Sequence, residues 1–161
     1  NLGPQKMTAN SRLADNPDRI TKRYHLLAVD NPVGAGFSIA KTGAYVRSEE
    51  EMRKQFVHAL RGFYKLHPEY SENPLWLTGE SYAGKYVPNI AYELSVNAKE
   101  IPLKGIIVGN GLYNELAQYS TIGDMAFGAG IIDGNLLKEV HLREQKCIKE
   151  IEKGSPVVGD F

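Results

Sequence analysis

Three short apolar runs alternate with segments of helical periodicity, and this alternation constrains the fold more than any other feature of the sequence. The apolar runs lie at residues 24–30, 75–78 and 103–108, and helices are predicted over 48–66 and from 79 to about 97. Strands that alternate with helices favour a parallel sheet whose strands are joined by crossovers. The sequence therefore predicts an α/β fold.

The alternation stops after Gly111, and the rest of the chain is predicted to be mainly helical. Residues 116–128 have a loosely helical pattern, and Asp133 is placed to cap a helix over 134–153. Before the first apolar run, residues 1–23 are polar and interrupted by prolines, which is typical of a loop. Three strands are few for a parallel sheet covered on both faces, so an incomplete domain is expected.

Composition and charge exclude several classes of function. Nineteen basic and nineteen acidic side chains cancel, so no overall field attracts nucleic acid. No apolar run approaches the roughly 20 residues that span a bilayer, and no transmembrane segment is expected. Cys147 is the only cysteine and is interpreted as a buried thiol, with pairing to another chain as the alternative. Because no His or Cys residues occur at ligand spacing, neither a metal nor another cofactor is expected.

A serine between the second apolar run and the following helix is the strongest candidate for chemistry. Gly79 and Ala83 stand two residues on either side of Ser81, and a nucleophile on a sharp strand-to-helix turn needs small residues at these positions. The backbone N–H of Tyr82 would then donate a hydrogen bond to an oxyanion. The alternative is that Ser81 only caps the helix. The strand before it and the helix after it favour a nucleophile elbow.

Three motifs, in the same order along the chain, resemble those of the serine carboxypeptidase family. The nucleophile motif spans 79–88, an Asp-x-Pro-x-Gly-x-Gly-Phe-Ser motif spans 30–38, and a third motif spans 104–111. The resemblance covers most of the chain and is closest to the vitellogenic-carboxypeptidase-like branch. It implies a partial α/β-hydrolase fold. The core that bears the nucleophile would occupy residues 1–111, and the incomplete start of a helical insertion would occupy 112–161.

The resemblance also implies roles for the residues of the first motif. Ser81 would attack the carbonyl of the last peptide bond of a peptide or protein substrate. Glu80 would help to bind the substrate's α-carboxylate, as one of two carboxyl groups that share a proton. Considered alone, Glu80 is simply an exposed glutamate whose charge favours the helix dipole. Relatives of this kind imply a lysosomal, vacuolar or secreted location.

The partners of a serine nucleophile are not identifiable in the sequence. His141 is the only histidine after Ser81, and it is interpreted as a solvated residue of the predicted helix. Nothing marks an orienting acid among the aspartates that follow the nucleophile, which are Asp124, Asp133 and Asp160. The histidines that precede the nucleophile are His25, His58 and His67. Two further positions depart from the family pattern: Asn1 stands where the second carboxyl group belongs, and Asn114-Glu115 replaces a common Asp-Pro.

Two hypotheses of different classes follow from this pattern. In the first, the chain is one piece of a serine carboxypeptidase, completed by the remainder of the fold or by a second chain. In the second, it is a catalytically inactive structural subunit of a larger assembly. The small residues around Ser81 favour the enzyme, whereas the unidentified triad partners favour the subunit. A binding module for a small ligand has no positive support in the sequence.

Overall fold

The computed structural model of the chain describes residues 2–154. The chain divides into two compact units, Asn1–Val46 and Arg47–Phe161. The predicted boundary between residues 111 and 112 concerns the family architecture and stays a prediction.

The first unit begins with a short antiparallel hairpin. Strand β1 (Gln5–Met7) pairs with strand β2 (Leu13–Asp15), and Lys6 lies opposite Ala14. Behind the hairpin, the buried side-chain amide of Asn16 donates a hydrogen bond to the carbonyl of Gly3 at 3.0 Å. The prediction of a loop over 1–23 is therefore wrong in part. Both strands are short and largely exposed, so they carry no apolar alternation that would have indicated them.

The predicted strand over 24–30 does not form in the first unit. These residues have no regular secondary structure, and the side chains of Tyr24 and Leu27 are 62% and 44% exposed. An apolar run supplies side chains for burial, but a strand also needs a neighbouring strand to pair its backbone groups. No strand in the described part of this unit pairs with 24–30, and the prediction of a strand here is wrong.

The second unit is built on a two-stranded parallel sheet. Strand β3 (Leu75–Glu80) pairs with strand β4 (Leu103–Gly109), and helix α2 (Ala83–Asn97) connects them and packs on both. Helix α1 (Glu49–Leu66) packs against α2. The two predicted strands, the two predicted helices and the parallel pairing are confirmed.

The core of the second unit lies between the sheet and these two helices. Its buried apolar side chains come from α1, β3, α2 and the turn that follows α2: Met52, Val57, Leu60, Leu77, Val87, Ile90, Leu94, Ala98 and Ile101. On the other face of the sheet, Trp76 lies over Gly105 and remains 53% exposed. Within the described part of the second unit, α2 covers one face of the sheet.

Helix α1 begins where the sequence predicts, and its cap differs in one detail. Ser48 Oγ accepts a hydrogen bond from the N–H of Glu51 at 3.2 Å. The Glu51 carboxylate accepts from the N–H of Arg47 at 2.8 Å, one residue before the cap, so the capping box is shifted at its acidic half. Pro68 follows the end of the helix and opens a single 3₁₀ turn.

The helical part after β4 consists of α3 (Glu115–Tyr119), α4 (Ile122–Gly128) and α5 (Gly134–Glu152). Asp133 caps α5 by accepting hydrogen bonds from the N–H groups of Asn135 and Leu136, and Cys147 is buried on this helix. Gly123 of α4 lies against α5, close enough that a Cβ there would reach the side chain of Val140 at 3.0 Å. The helical predictions over 116–128 and 134–153 are confirmed.

A partly buried ion pair joins α1 to α2. Arg53 Nε donates to the Glu93 carboxylate at 3.0 Å, and the Asn97 amide donates to the same carboxylate at 2.9 Å. The guanidinium also lies over the ring of Tyr92. These contacts hold the pKa of Glu93 below its ordinary value of 4.5; the Asn97 hydrogen bond is the largest cause and the Arg53 hydrogen bond follows. The ionised form of Glu93 is thus favoured in the folded state.

Replacement of Glu93 tests this ion pair. Glu93→Gln keeps a partner for Asn97 but removes the charge that Arg53 faces, so we expect the melting temperature at neutral pH to fall by several degrees. The control is Glu50→Gln, which breaks the exposed pair between Glu50 and Lys54 and should have little effect. Because the folded pKa of Glu93 is depressed, its stabilisation is present above pH 4.5 and is lost as the pH falls through the folded pKa. A difference between wild type and Glu93→Gln that grows below pH 4.5 would contradict this assignment.

Candidate active site

Ser81 lies on the sharp turn between β3 and α2. Its φ angle is +59°, a left-handed conformation that is uncommon for residues with a side chain. The strand ends at Glu80 and the helix begins at Ala83, so only Ser81 and Tyr82 separate the two elements. Such local strain persists only where the surrounding structure enforces it, and it is frequent at active sites.

Three backbone hydrogen bonds hold this turn. The N–H of Ser81 donates to the carbonyl of Gly109 at the end of β4, at 3.0 Å. The carbonyl of Ser81 accepts from the N–H of Leu112 at 2.9 Å and from that of Gly84 at 3.0 Å. The serine backbone is therefore fixed to β4 and to the segment that follows it.

Two glycines make this geometry sterically feasible. A Cβ on Gly84 would lie 2.5 Å from both the backbone nitrogen and the carbonyl oxygen of Leu112, so no side chain fits there. A Cβ on Gly79 would overlap the Cβ of Ala83 and approach Val87 at 3.1 Å. The small residues that the elbow requires are thus in direct contact with their neighbours, as the sequence predicts.

The reactive groups of the turn are free of internal partners. The side chain of Ser81 is exposed, and its hydroxyl makes no hydrogen bond with any residue in the range 2–154. The backbone N–H of Tyr82 likewise donates to no described residue, although it lies at the amino end of α2. At a helix amino terminus, such a hydroxyl can attack a carbonyl carbon, and the unused N–H beside it can donate a hydrogen bond to the resulting oxyanion.

Tyr82 and Tyr86 form an aromatic pair beside the elbow. Their ring centroids are 5.0 Å apart, and the rings meet edge to face. The phenol of Tyr82 donates to the Glu49 carboxylate of α1 at 3.3 Å. Burial raises the pKa of Tyr82, and the negative charge of Glu49 raises it further. The phenol of Tyr82 therefore stays protonated over the physiological range.

The segment after β4 is tied to α2 by an ion pair. Lys85 Nζ lies 2.6 Å from the Glu115 carboxylate and donates to the carbonyl of Tyr113 at 3.3 Å. The hydrogen bond from Lys85 is the main reason why the pKa of Glu115 is lowered. Asn114 caps α3 by accepting from the N–H of Ala117. The residues that replace the family's Asp-Pro thus fasten this segment beside the elbow.

The Asp-x-Pro-x-Gly-x-Gly-Phe-Ser motif, within the first unit, closes a tight loop on its own aspartate. The Asp30 carboxylate accepts from the N–H of Phe37 at 2.8 Å, and Ser38 Oγ donates to the Asp30 carbonyl at 2.7 Å. Gly36 has a φ of +53°, and a Cβ there would overlap the Asp30 carboxylate. The Asp, second Gly and Ser of the motif are therefore explained by the loop itself, whereas Phe37 contributes only its backbone N–H and its ring is 96% exposed.

Within the described part of the second unit, no histidine forms a hydrogen bond with Ser81. His141 Nε2 lies 3.1 Å from Asp124 Oδ1, which pairs α5 with α4, and neither residue forms a hydrogen bond with Ser81. His58 is exposed on α1, and His67 pairs with Glu69 just after that helix. Asn1 and Asp160 lie outside the described residues.

Glu80 is the third residue of the predicted site. The Glu80 side chain is exposed at the end of β3 and has no hydrogen bond or ion pair to a described residue.

Across residues 2–154, no group of three or more His, Cys, Asp or Glu side chains could hold a metal ion. In the same range, no helix is long and apolar enough to cross a membrane.

Sequence reasoning missed Glu49 and its contact with Tyr82. Glu49 stands in an acidic first turn with Glu50 and Glu51, where three successive glutamates indicate only a favourable interaction with the helix dipole. Its partner is 33 positions away in the chain. Since no local pattern connects two residues so far apart, only the fold shows that they meet.

The strained serine turn on a parallel α/β sheet defines the class of α/β-hydrolases. The serine carboxypeptidase family matches residues 1–157, and the chain belongs to this family. Serine carboxypeptidase S10 family member 1 of Dictyostelium discoideum is 35% identical over 94% of this chain and 38% of its own length. Pheromone-processing carboxypeptidase KEX1 of Chaetomium globosum is 35% identical over 98% of this chain and 26% of its own length.

A solved structure agrees with these sequence relatives. The crystal structure of Kex1(delta)p, a prohormone-processing carboxypeptidase from Saccharomyces cerevisiae, superposes with a TM-score of 0.81 at 25% identity. The match covers 97% of this chain and 36% of that one. This chain therefore spans between about a quarter and two fifths of the length of these relatives. The predicted α/β-hydrolase fold, present in part, is confirmed.

Replacement of Gly84 tests the contact that holds the elbow. Gly84→Ala places a methyl group against the backbone of Leu112, which cannot rotate away, so we expect a destabilisation of about 1–3 kcal/mol in denaturant unfolding. The control is Gly62→Ala in the middle of α1, where nothing lies within 4 Å of the new Cβ. That change should stabilise the protein by up to about 1 kcal/mol through helix propensity. Equal effects of the two substitutions would contradict the steric argument.

Proposed function

We propose that this chain is the nucleophile-bearing part of a serine carboxypeptidase and that Ser81 is its nucleophile. The observation that carries the proposal is the strained turn at Ser81, which presents a free hydroxyl beside the unused N–H of Tyr82. In a chain of this family, that arrangement is suited to the release of the last residue of a peptide or protein. A serine that only capped α2 would have no need of a left-handed backbone.

The reaction would proceed through a covalent acyl-enzyme. Ser81 Oγ attacks the carbonyl carbon of the last peptide bond while a general base takes the hydroxyl proton. The N–H of Tyr82 donates to the oxyanion of the tetrahedral intermediate. The C–N bond then breaks, the base returns the proton to the leaving amine, and water hydrolyses the ester on Ser81. The base and its orienting acid would come from the remainder of the fold or from a second chain.

Glu80 is proposed to recognise the free carboxylate at the end of the substrate. Its side chain is exposed immediately before Ser81 and is not engaged by another described residue. Two carboxyl groups that share one proton can donate a hydrogen bond to a carboxylate at acid pH. Glu80 would supply one group of such a pair. The position aligned with its partner is occupied by Asn1 in this sequence.

The branch of the family and the cellular location are also part of the proposal. The motifs favour the vitellogenic-carboxypeptidase-like branch, although several relatives that match this chain are named as pheromone-processing carboxypeptidases. A lysosomal, vacuolar or secreted location is proposed from family resemblance. Substrates would be peptides or proteins with a free carboxyl terminus.

Labelling with a fluorophosphonate tests the nucleophile in the full-length protein. We expect a covalent adduct on Ser81, located by mass spectrometry of the modified peptide, because an activated serine attacks the phosphorus of the probe. Ser81→Ala should abolish both the adduct and the release of carboxyl-terminal residues. Absence of an adduct, in a sample where a control serine hydrolase reacts, would contradict the proposal and favour an inactive structural subunit.

Substrates with a free or a blocked carboxylate test the role of Glu80. Glu80→Ala should raise KM for a peptide with a free carboxyl terminus by about tenfold or more, the loss of one charge-assisted hydrogen bond. The same peptide with an amidated terminus lacks the carboxylate, so its KM should rise much less. If both substrates lose activity equally, Glu80 does not recognise the carboxylate.

A further inference from the structure

The Glu49 carboxylate has an unusual environment for a residue in the first turn of a helix. One of its oxygens, Oε1, accepts the hydrogen bond from the Tyr82 phenol at 3.3 Å. The other, Oε2, is buried and makes no hydrogen bond within residues 2–154. A buried carboxylate oxygen without a partner costs free energy, so its retention calls for an explanation beyond stability.

No described cation compensates the charge of Glu49. The nearby basic side chains of α1 and α2 are engaged elsewhere: Arg53 pairs with Glu93, Lys54 with Glu50, and Lys85 with Glu115. A glutamate that served only the helix dipole would point into solvent, as the neighbouring Glu50 does at 58% side-chain exposure. Glu49 instead contacts the phenol of Tyr82, so the role of this contact depends on the role of Tyr82.

Tyr82 is the residue that follows the nucleophile. Its backbone N–H is the donor that we assign to the oxyanion, and its ring meets Tyr86 edge to face at 5.0 Å. The peptide bond to Ser81 holds the backbone of Tyr82, and the hydrogen bond to Glu49 holds its phenol at α1. A residue held at both its backbone and the tip of its side chain has little freedom to rotate. The N–H lies in the same planar peptide as the Ser81 carbonyl, which Leu112 and Gly84 hold, and the phenol contact adds a second restraint on Tyr82 before the substrate binds.

We propose that Glu49 is a positioning residue, which acts through Tyr82 to hold the oxyanion-binding N–H in its productive direction. The inference rests on the proposed function, because it assigns a role in that reaction. Glu49 would not touch the substrate. Its carboxylate accepts a hydrogen bond from the phenol, and the 3.3 Å between the two oxygens leaves room for the contact to shorten when the substrate binds. Loss of this bond should weaken stabilisation of the transition state and leave binding of the substrate largely intact.

Steady-state kinetics of the full-length enzyme test this role. Glu49→Ala should lower kcat, and the rate of fluorophosphonate labelling at Ser81, by about five- to tenfold with little change in KM. Tyr82→Phe, which lacks the phenol hydroxyl, should lower both rates to the same extent. Glu49→Gln keeps an acceptor for the phenol and should retain most of the activity. The control Glu50→Ala removes a neighbouring glutamate that contacts only Lys54 and should leave both rates unchanged.

The double variant Glu49→Ala/Tyr82→Phe separates positioning from a general effect on stability. If Glu49 acts through the phenol, the double variant is no slower than either single variant. Losses that multiply in the double variant would overturn the proposal, as would a Glu49→Ala enzyme with wild-type rates. Should Glu49→Ala fail to fold, Tyr82→Phe and Glu49→Gln still decide the question, since wild-type rates in Tyr82→Phe overturn it.

A spectroscopic measurement gives an independent readout. The Glu49 charge contributes to the raised pKa of Tyr82, together with Tyr86 and Glu115. Absorbance titration of phenolate formation, compared with Tyr82→Phe to isolate this one ring, should show a lower pKa in Glu49→Gln. An unchanged titration would contradict direct contact between the two groups. Retained activity in Ser81→Ala, by contrast, would remove the proposed function itself, so the two failures are distinguishable.

Discussion

The close approach of α2 to the segment after β4 is the constraint on which the candidate site depends. Gly84 lies so near the backbone of Leu112 that a single methyl group would not fit. At this distance the Leu112 N–H reaches the carbonyl of Ser81, and the serine backbone is drawn into its left-handed conformation. The strain at the nucleophile is therefore compensated by hydrogen bonds to β4 and its extension, and not by contacts of the serine side chain.

Backbone and side-chain contacts have different roles in this arrangement. Backbone hydrogen bonds to Gly109 and Leu112 fix where the serine stands, and they leave its hydroxyl free to react. Side-chain contacts act one step further out: Lys85 fastens the segment after β4 through Glu115, while Glu49 fastens Tyr82 from α1. Each of these outer contacts joins the elbow to a different element. The position of one reactive atom is thus determined by two strands and three helices.

Local patterns in the sequence predict the parts of this structure that depend on local physics. The helices α1 and α5 were predictable because each has an apolar stripe and a polar cap, at Ser48 and Asp133. Ser81 was predictable because small residues at fixed offsets are a steric requirement of the turn. The absence of a strand over 24–30 was not predictable, since an apolar run carries no information about whether a neighbouring strand is there to pair with it. The hairpin β1–β2 lacks any apolar signal, and the contact of Glu49 depends on distant packing.

The ion pair between Lys85 and Glu115 has a consequence for how the helical part communicates with the elbow. Glu115 begins α3, and Leu112 lies three residues before it on the segment that holds the Ser81 carbonyl. A displacement of α3 would therefore reach the serine turn through a stretch of backbone too short to absorb it. Substitutions at the start of α3 would in this way disturb the hydrogen bond that the Ser81 carbonyl accepts from Leu112, although they lie outside the turn itself.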